Sequence, residues 1–118
     1  MYAIVRTDIH MPIGKMAAQA GHAFVDTFRI AERTSPERCA QYHQDDGPGT
    51  KIVLSGSLKQ LEEAQKKAEE QGFPCKLIID SGHVCPPDFD GSPIVTALGV
   101  GPISKEEGKF LSKLQLIK

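Results

Sequence analysis

Tyr2-Ala3-Ile4-Val5-Arg6-Thr7, a loop closed by Pro12, and then Gly14-Lys15-Met16-Ala17-Ala18-Gln19-Ala20-Gly21-His22-Ala23 decide the fold. The first run reads as a short buried strand. Asp8 to Pro12 is a loop, and Pro12 suits the entry to a helix. The helix is expected from about Gly14 to Arg33, where Thr34-Ser35-Pro36 stops it. Along it Lys15, Gln19, His22, Asp26, Arg29 and Arg33 follow at spacings of four, three, four, three and four. That rhythm puts all six on one helix face. Met16, Ala17, Ala20, Ala23, Phe24, Phe28 and Ala31 are expected on the opposite, packing face. An ordinary solvated face mixes Lys with Glu, whereas this one begins with a cation, an amide and an imidazole. From spacing alone the stripe faces either solvent or a ligand.

Working outward, Pro36 can occupy the first turn of a second short helix through Tyr42. Asp45-Asp46-Gly47-Pro48-Gly49 reads as a turn. Lys51-Ile52-Val53-Leu54-Ser55 is the second strand. Ser57-x-x-Gln60 is a capping-box pattern that opens a helix with Leu58, Leu61, Ala64 and Ala68 inward, ended by Gly72. The Glu62–Lys66 and Glu63–Lys67 pairs fit its solvated side. Lys76-Leu77-Ile78-Ile79 is the third strand and ends at Asp80. Ser81 to Pro93 holds two Gly and three Pro, the composition of an irregular loop. Ile94 to Val100 is the fourth strand. Gly101-Pro102 turns it into a last helix with a second capping box, Ser104-x-x-Glu107. Leu114-Gln115-Leu116-Ile117 alternates and can return as a short edge strand.

This order predicts one domain over residues 1–118, an α/β chain folded as a three-layer α/β/α sandwich with a four-stranded mixed sheet. Right-handed crossovers make the first three strands parallel. The last long strand follows a loop rather than a helix, so it is expected to be antiparallel.

Composition narrows the function classes. A length of 118 residues suits a single core, and the formal charge of −1 speaks against non-specific coating of nucleic acid while allowing a local basic patch. Apolar runs reach no more than five residues, too short to span a membrane. No basic region or cleavage site follows Met1, which points to the cytoplasm. Cys39, Cys75 and Cys85 fit reduced thiols, and no Cys-x-x-Cys or His-x-x-x-His spacing suggests a metal. The Gly14-Lys15 pair lacks the rest of a phosphate loop, and there is no Gly-x-Ser-x-Gly elbow.

Ligands of open α/β sheets sit beyond the carboxyl ends of the parallel strands. The first strand exits at Thr7-Asp8, just before the helix bearing Lys15, and the third exits at Asp80. Lys15 and Asp80 are therefore expected on one rim, as an electrostatic clamp and a water-orienting base. Read without further context, Asp80 is equally a turn aspartate before Gly82, and His22 is either a ligand contact or a structural histidine.

The run Arg6-Thr7-Asp8-Ile9-x-Met11-x-x-Gly14-Lys15-Met16-Ala17-Ala18-Gln19-x-x-His22-Ala23 resembles the opening signature of the archaeal/eukaryotic-type (class 2) peptidyl-tRNA hydrolases. Lys51-Ile52-Val53-Leu54, Ile79-Asp80-Ser81-Gly82 and Thr96-Ala97-Leu98-Gly99-Val100-Gly101-Pro102 follow in the same order, so the resemblance covers nearly the whole chain. It implies hydrolysis of the ester between a peptide and the terminal ribose of tRNA, with no metal, nucleotide or other cofactor, by a homodimer. By position, Lys15, Gln19 and His22 would belong to its active-site helix face, joined by Asp80 and Thr96 from the strand ends. Lys15, His22, Asp80 and Thr96 are expected to be catalytic, and Gln19, Asp8, Arg29 and Arg33 to bind substrate. The family often has a second basic residue where this chain has Ile13. It usually has a Thr at Val84, preceded by an Arg at His83. The alternative reading is a non-catalytic module of the same fold that holds a nucleotide end or a protein partner.

Overall fold

The computed structural model describes residues 1–44 and 47–117. Its elements are β1 (Tyr2–Arg6), α1 (Ile13–Thr34), α2 (Pro36–Tyr42), β2 (Ile52–Gly56), α3 (Leu58–Glu70), β3 (Cys75–Asp80), β4 (Val84–Cys85), β5 (Phe89–Asp90) and β6 (Ile94–Val100), with a 3-10 helix at Glu107–Leu111. The main sheet has the order β2-β1-β6-β3. β1 and β2 are parallel, and β6 runs antiparallel to both of its neighbours. This is the expected four-stranded mixed sheet, with its one reversed strand wedged between β1 and β3.

The sheet is covered on both faces. Ala20 and Ala23 of α1 pack over Ala3, Val5, Ile78 and Ala97. Leu61, Ala64 and Ala68 of α3 pack over Ile4, Leu98 and Val100 on the other side. Alternate residues of β1 and β6 therefore feed two cores, which is why both read as unbroken apolar runs. Gly99 faces α1 so closely that an added Cβ would collide with Thr27 Oγ1 and the Ala23 carbonyl. Glycine there sets how near the helix lies to the sheet.

Several expectations need correction. The buried face of α1 is Gln19, Ala20, Ala23, Thr27 and Ala31, while Ala17 is exposed. At about 100° per residue the polar stripe lies roughly a quarter-turn from that face rather than opposite it, so Lys15 and Gln19 look across the sheet edge. Ser81 to Pro93 is not wholly irregular, because β4 and β5 form a small antiparallel hairpin there. Its Phe89 is one of the largest fully buried side chains. Both capping boxes form, but the second opens onto a 3-10 helix. The final segment contributes one antiparallel bridge, Leu54 to Leu116, instead of a full edge strand. Part of the expected turn, Asp45-Asp46, lies outside the described residues.

One irregularity prepares the site. Ile78 pairs with Ala97 while Ile79 pairs with Val95, so Thr96 is an extra residue in β6. This β-bulge makes Thr96 and Ala97 face α1 together instead of alternating. Arg6 Nη1 donates to the Val95 carbonyl at 3.2 Å, occupying a backbone acceptor beside the bulge.

Candidate functional site

The end of β3 and the first turn of α1 meet as the topology requires. Lys15 Nζ lies 2.9 Å from Asp80 Oδ2. Both side chains are mostly covered, at 12% and 22% relative exposure, so solvent screens this pair less than a surface pair. The Lys15 ammonium also sits 4.8 Å from the centre of the Phe89 ring. That cation–π contact and the ion pair fix the lysine from two sides. The hairpin loop that brings Phe89 is itself tied down, since the His10 N–H donates to Asp88 Oδ2 at 2.5 Å.

Behind the ion pair lies a buried polar couple. The Thr96 hydroxyl donates to Gln19 Oε1 at 2.5 Å, and both residues are buried. A hydroxyl has one proton to give. Because Gln19 receives it at oxygen, the amide nitrogen, a donor, is left for the groove that Gln19 lines. That groove, of about 300 Å³, is walled by Gln19, His22 and Asp26 on one side and by β3 from Lys76 to Asp80 on the other.

Asp8 takes a supporting place. It accepts from Arg6 Nε at 2.9 Å and Nη2 at 3.0 Å, and from the Leu58 N–H at the start of α3 at 3.2 Å. Hydrogen bonding to the Arg6 guanidinium holds its carboxyl below the usual carboxylate range. Asp8 and Arg6 thus brace the bulge that aims Thr96. Arg29 and Arg33 are exposed and lie away from the rim, about 21 and 27 Å beyond Lys15 along the helix at about 1.5 Å per residue. Burial pushes the Cys39 and Cys75 thiols up, away from nucleophilic thiolate. Among the described residues, no group of three or more His, Cys, Asp or Glu side chains is placed to hold a metal ion.

The structure therefore brings together Lys15, Asp80, Gln19, His22 and Thr96, and leaves Asp8, Arg29 and Arg33 outside that cluster. Sequence reading missed Arg6 and Phe89 as parts of it. Arg6 is a lone charge at the end of an apolar strand two residues from a carboxylate, a spacing that could have shown the pair. Phe89 is the lone aromatic in a Pro- and Gly-rich loop, a signal that it anchors the loop.

The arrangement can hold a water against a carboxylate and meet developing negative charge with an ammonium and an amide. A family model described as peptidyl-tRNA hydrolase PTH2 matches residues 1–117. A Methanocaldococcus jannaschii protein called peptidyl-tRNA hydrolase is 33% identical over 118 residues, 99% of this chain and 98% of that one. A Methanothermobacter thermautotrophicus protein of the same name is 34% identical over 115 residues, 97% of this chain and 96% of its own. A Halobacterium salinarum protein of that name is 35% identical over 97 residues, covering 82% and 80%.

Proposed function

The chain belongs to the peptidyl-tRNA hydrolase PTH2 family, and from that premise we propose that it cleaves the ester joining a peptide to the terminal ribose of tRNA at the rim where Lys15 meets Asp80. The observation that carries this reading is the 2.9 Å contact between those side chains at the mouth of the groove. Asp80 orients a water and accepts its proton as the oxygen attacks the ester carbonyl. Lys15 and the Gln19 amide N–H meet the oxyanion of the tetrahedral intermediate. Collapse expels the ribose oxygen, which takes the proton from Asp80, leaving a peptide acid and a tRNA with a free terminal hydroxyl. Thr96 keeps Gln19 turned so that its donors face the carbonyl. His22, exposed on the groove wall, positions the ribose or the peptide.

The exposed Arg29 and Arg33 suit contact with the tRNA backbone, which binds mainly through charge. The protein works in the cytoplasm as a homodimer. The exposed Ile13 and Val25 of α1 are apolar surface that a second copy would cover. Nothing in the mechanism calls on a cofactor. The decisive experiment incubates the purified protein with a peptidyl-tRNA and EDTA and measures peptide release. Release at a rate dependent on Lys15 and Asp80 is expected, and its absence would overturn the reading.

A further inference from the structure

β3 is an edge strand whose outer side pairs with nothing among the described residues. Alternate backbone N–H and C=O groups of such a strand point away from the sheet. Natural edges are usually blocked by charge, proline or a covering element. Here Lys76 and Asp80 stand towards its two ends, and Ile79 between them is left 59% exposed. The open edge is also one wall of the groove, with β3 contributing Lys76 through Asp80 and α1 contributing Gln19, His22 and Asp26. The groove leads straight into the Lys15–Asp80 rim.

We infer that the peptide moiety of the substrate binds this groove as an added strand, parallel to β3, with its ester carbonyl at Asp80 and the chain running back towards Lys76. This rests on the proposed hydrolysis, because that reaction places a peptide chain at Asp80. From Lys76 to Asp80 a strand covers about 13 Å at about 3.3 Å per residue, room for roughly four substrate residues. Charge favours a peptide over a nucleic-acid backbone. Among the described residues, Asp26 and Asp80 both line the groove, Lys76 is the one ammonium on its walls, and Lys15 is engaged by Asp80. A strand partner is read through its main chain. Such binding gains affinity without selecting side chains.

The test uses two readouts on the full chain. In the first, peptidyl-tRNAs with acyl chains of one to six residues are hydrolysed. The expected kcat/KM climbs with each residue to about four and then levels. N-methylation of every second peptide amide lowers it about tenfold per site, and methylation of the intervening amides changes it little. In the second, a tetrapeptide amide of 3′-amino-3′-deoxyadenosine, which carries no ester, is added to isotope-labelled protein. Strand-type nuclear Overhauser contacts to β3 amides are expected. Rates indifferent to chain length and methylation would overturn the inference while leaving hydrolysis intact. So would β3 amides that respond to a cytidine-cytidine-adenosine trinucleotide and not to the peptide probe. Contacts to β3 without turnover of any ester would support the peptide site and remove the proposed reaction.

Discussion

Replacing Thr96 by valine removes one hydroxyl and almost no volume, which makes it a sharp probe of the buried couple. Thr96 is fully buried, and its proton goes to Gln19 Oε1 at 2.5 Å, with the Ile78 carbonyl 3.5 Å away. In Thr96→Val the Gln19 oxygen keeps its burial and loses that donor. Leaving a buried acceptor unpaired costs about 1–3 kcal/mol. For a domain of this size that corresponds to a fall in Tm of about 4–12 °C. Gln19→Leu removes the other partner and should cost a similar amount. The double variant should be less destabilised than the sum, by about 1–2 kcal/mol, since one loss already breaks the contact. Catalysis tests the role of the threonine. As a support for Gln19, Thr96→Val should lower kcat about as much as Gln19→Leu does, with no further loss on combination. Thr96→Ser should restore most of the rate. Urea unfolding monitored by circular dichroism gives the coupling energy, and single-turnover hydrolysis gives the rates. Coupling below about 0.3 kcal/mol, the scatter of independent sites, would refute the argument. So would a double variant whose kcat losses multiply.

Lys15→Ala and Asp80→Asn should each lower kcat about a hundredfold or more, measured by peptide release, because each removes a charge on which the proposed hydrolysis relies. Arg33→Ala should instead raise KM and flatten its salt dependence with little change in kcat. Gly99→Ala should push α1 off the sheet, because its methyl meets Thr27 Oγ1 and the Ala23 carbonyl; a loss of about 3 kcal/mol or more in denaturant titration is expected. Hydrogen bonding from Arg38 depresses the Glu107 pKa from 4.5 to about 2. The stabilisation is therefore present above about pH 4.5 and fades as pH falls towards 2, so the Tm gap between the native chain and Glu107→Gln should close over that window. Sedimentation at tens of micromolar, a rough concentration for a stable interface, should show a dimer, and Val25→Lys should shift it towards the 12.8 kDa species.

Much of the architecture is legible from local signals. α2 over Pro36–Tyr42 and β6 over Ile94–Val100 stand where Pro36, Gly101 and the apolar pattern put them. The meeting of Lys15 and Asp80 follows from topology, since parallel strands present their carboxyl ends on one rim. What escaped was tertiary. The inward turn of Gln19 depends on the bulge at Thr96, and no periodicity in Ile94 to Val100 announces an extra residue. The hairpin escaped because β4 and β5 are two residues each, too short for alternation to show. Asp8, expected to bind substrate, also accepts from Arg6 two residues earlier and from the Leu58 N–H, partners that its place at a strand exit does not reveal.

The bulge in β6 means the strand is written in two reading frames. Residues on its Ala97 side alternate in one phase and those on its Ile94 side in the other, with Thr96 as the inserted letter. Removing that letter would restore an unbroken ladder, and by hydrogen-bond accounting it would yield a more regular sheet. The same deletion would take away the hydroxyl that orients Gln19 and the carbonyl geometry that Arg6 answers. A more regular ladder is thus set against a satisfied buried amide and a paired arginine, and both depend on the same inserted residue.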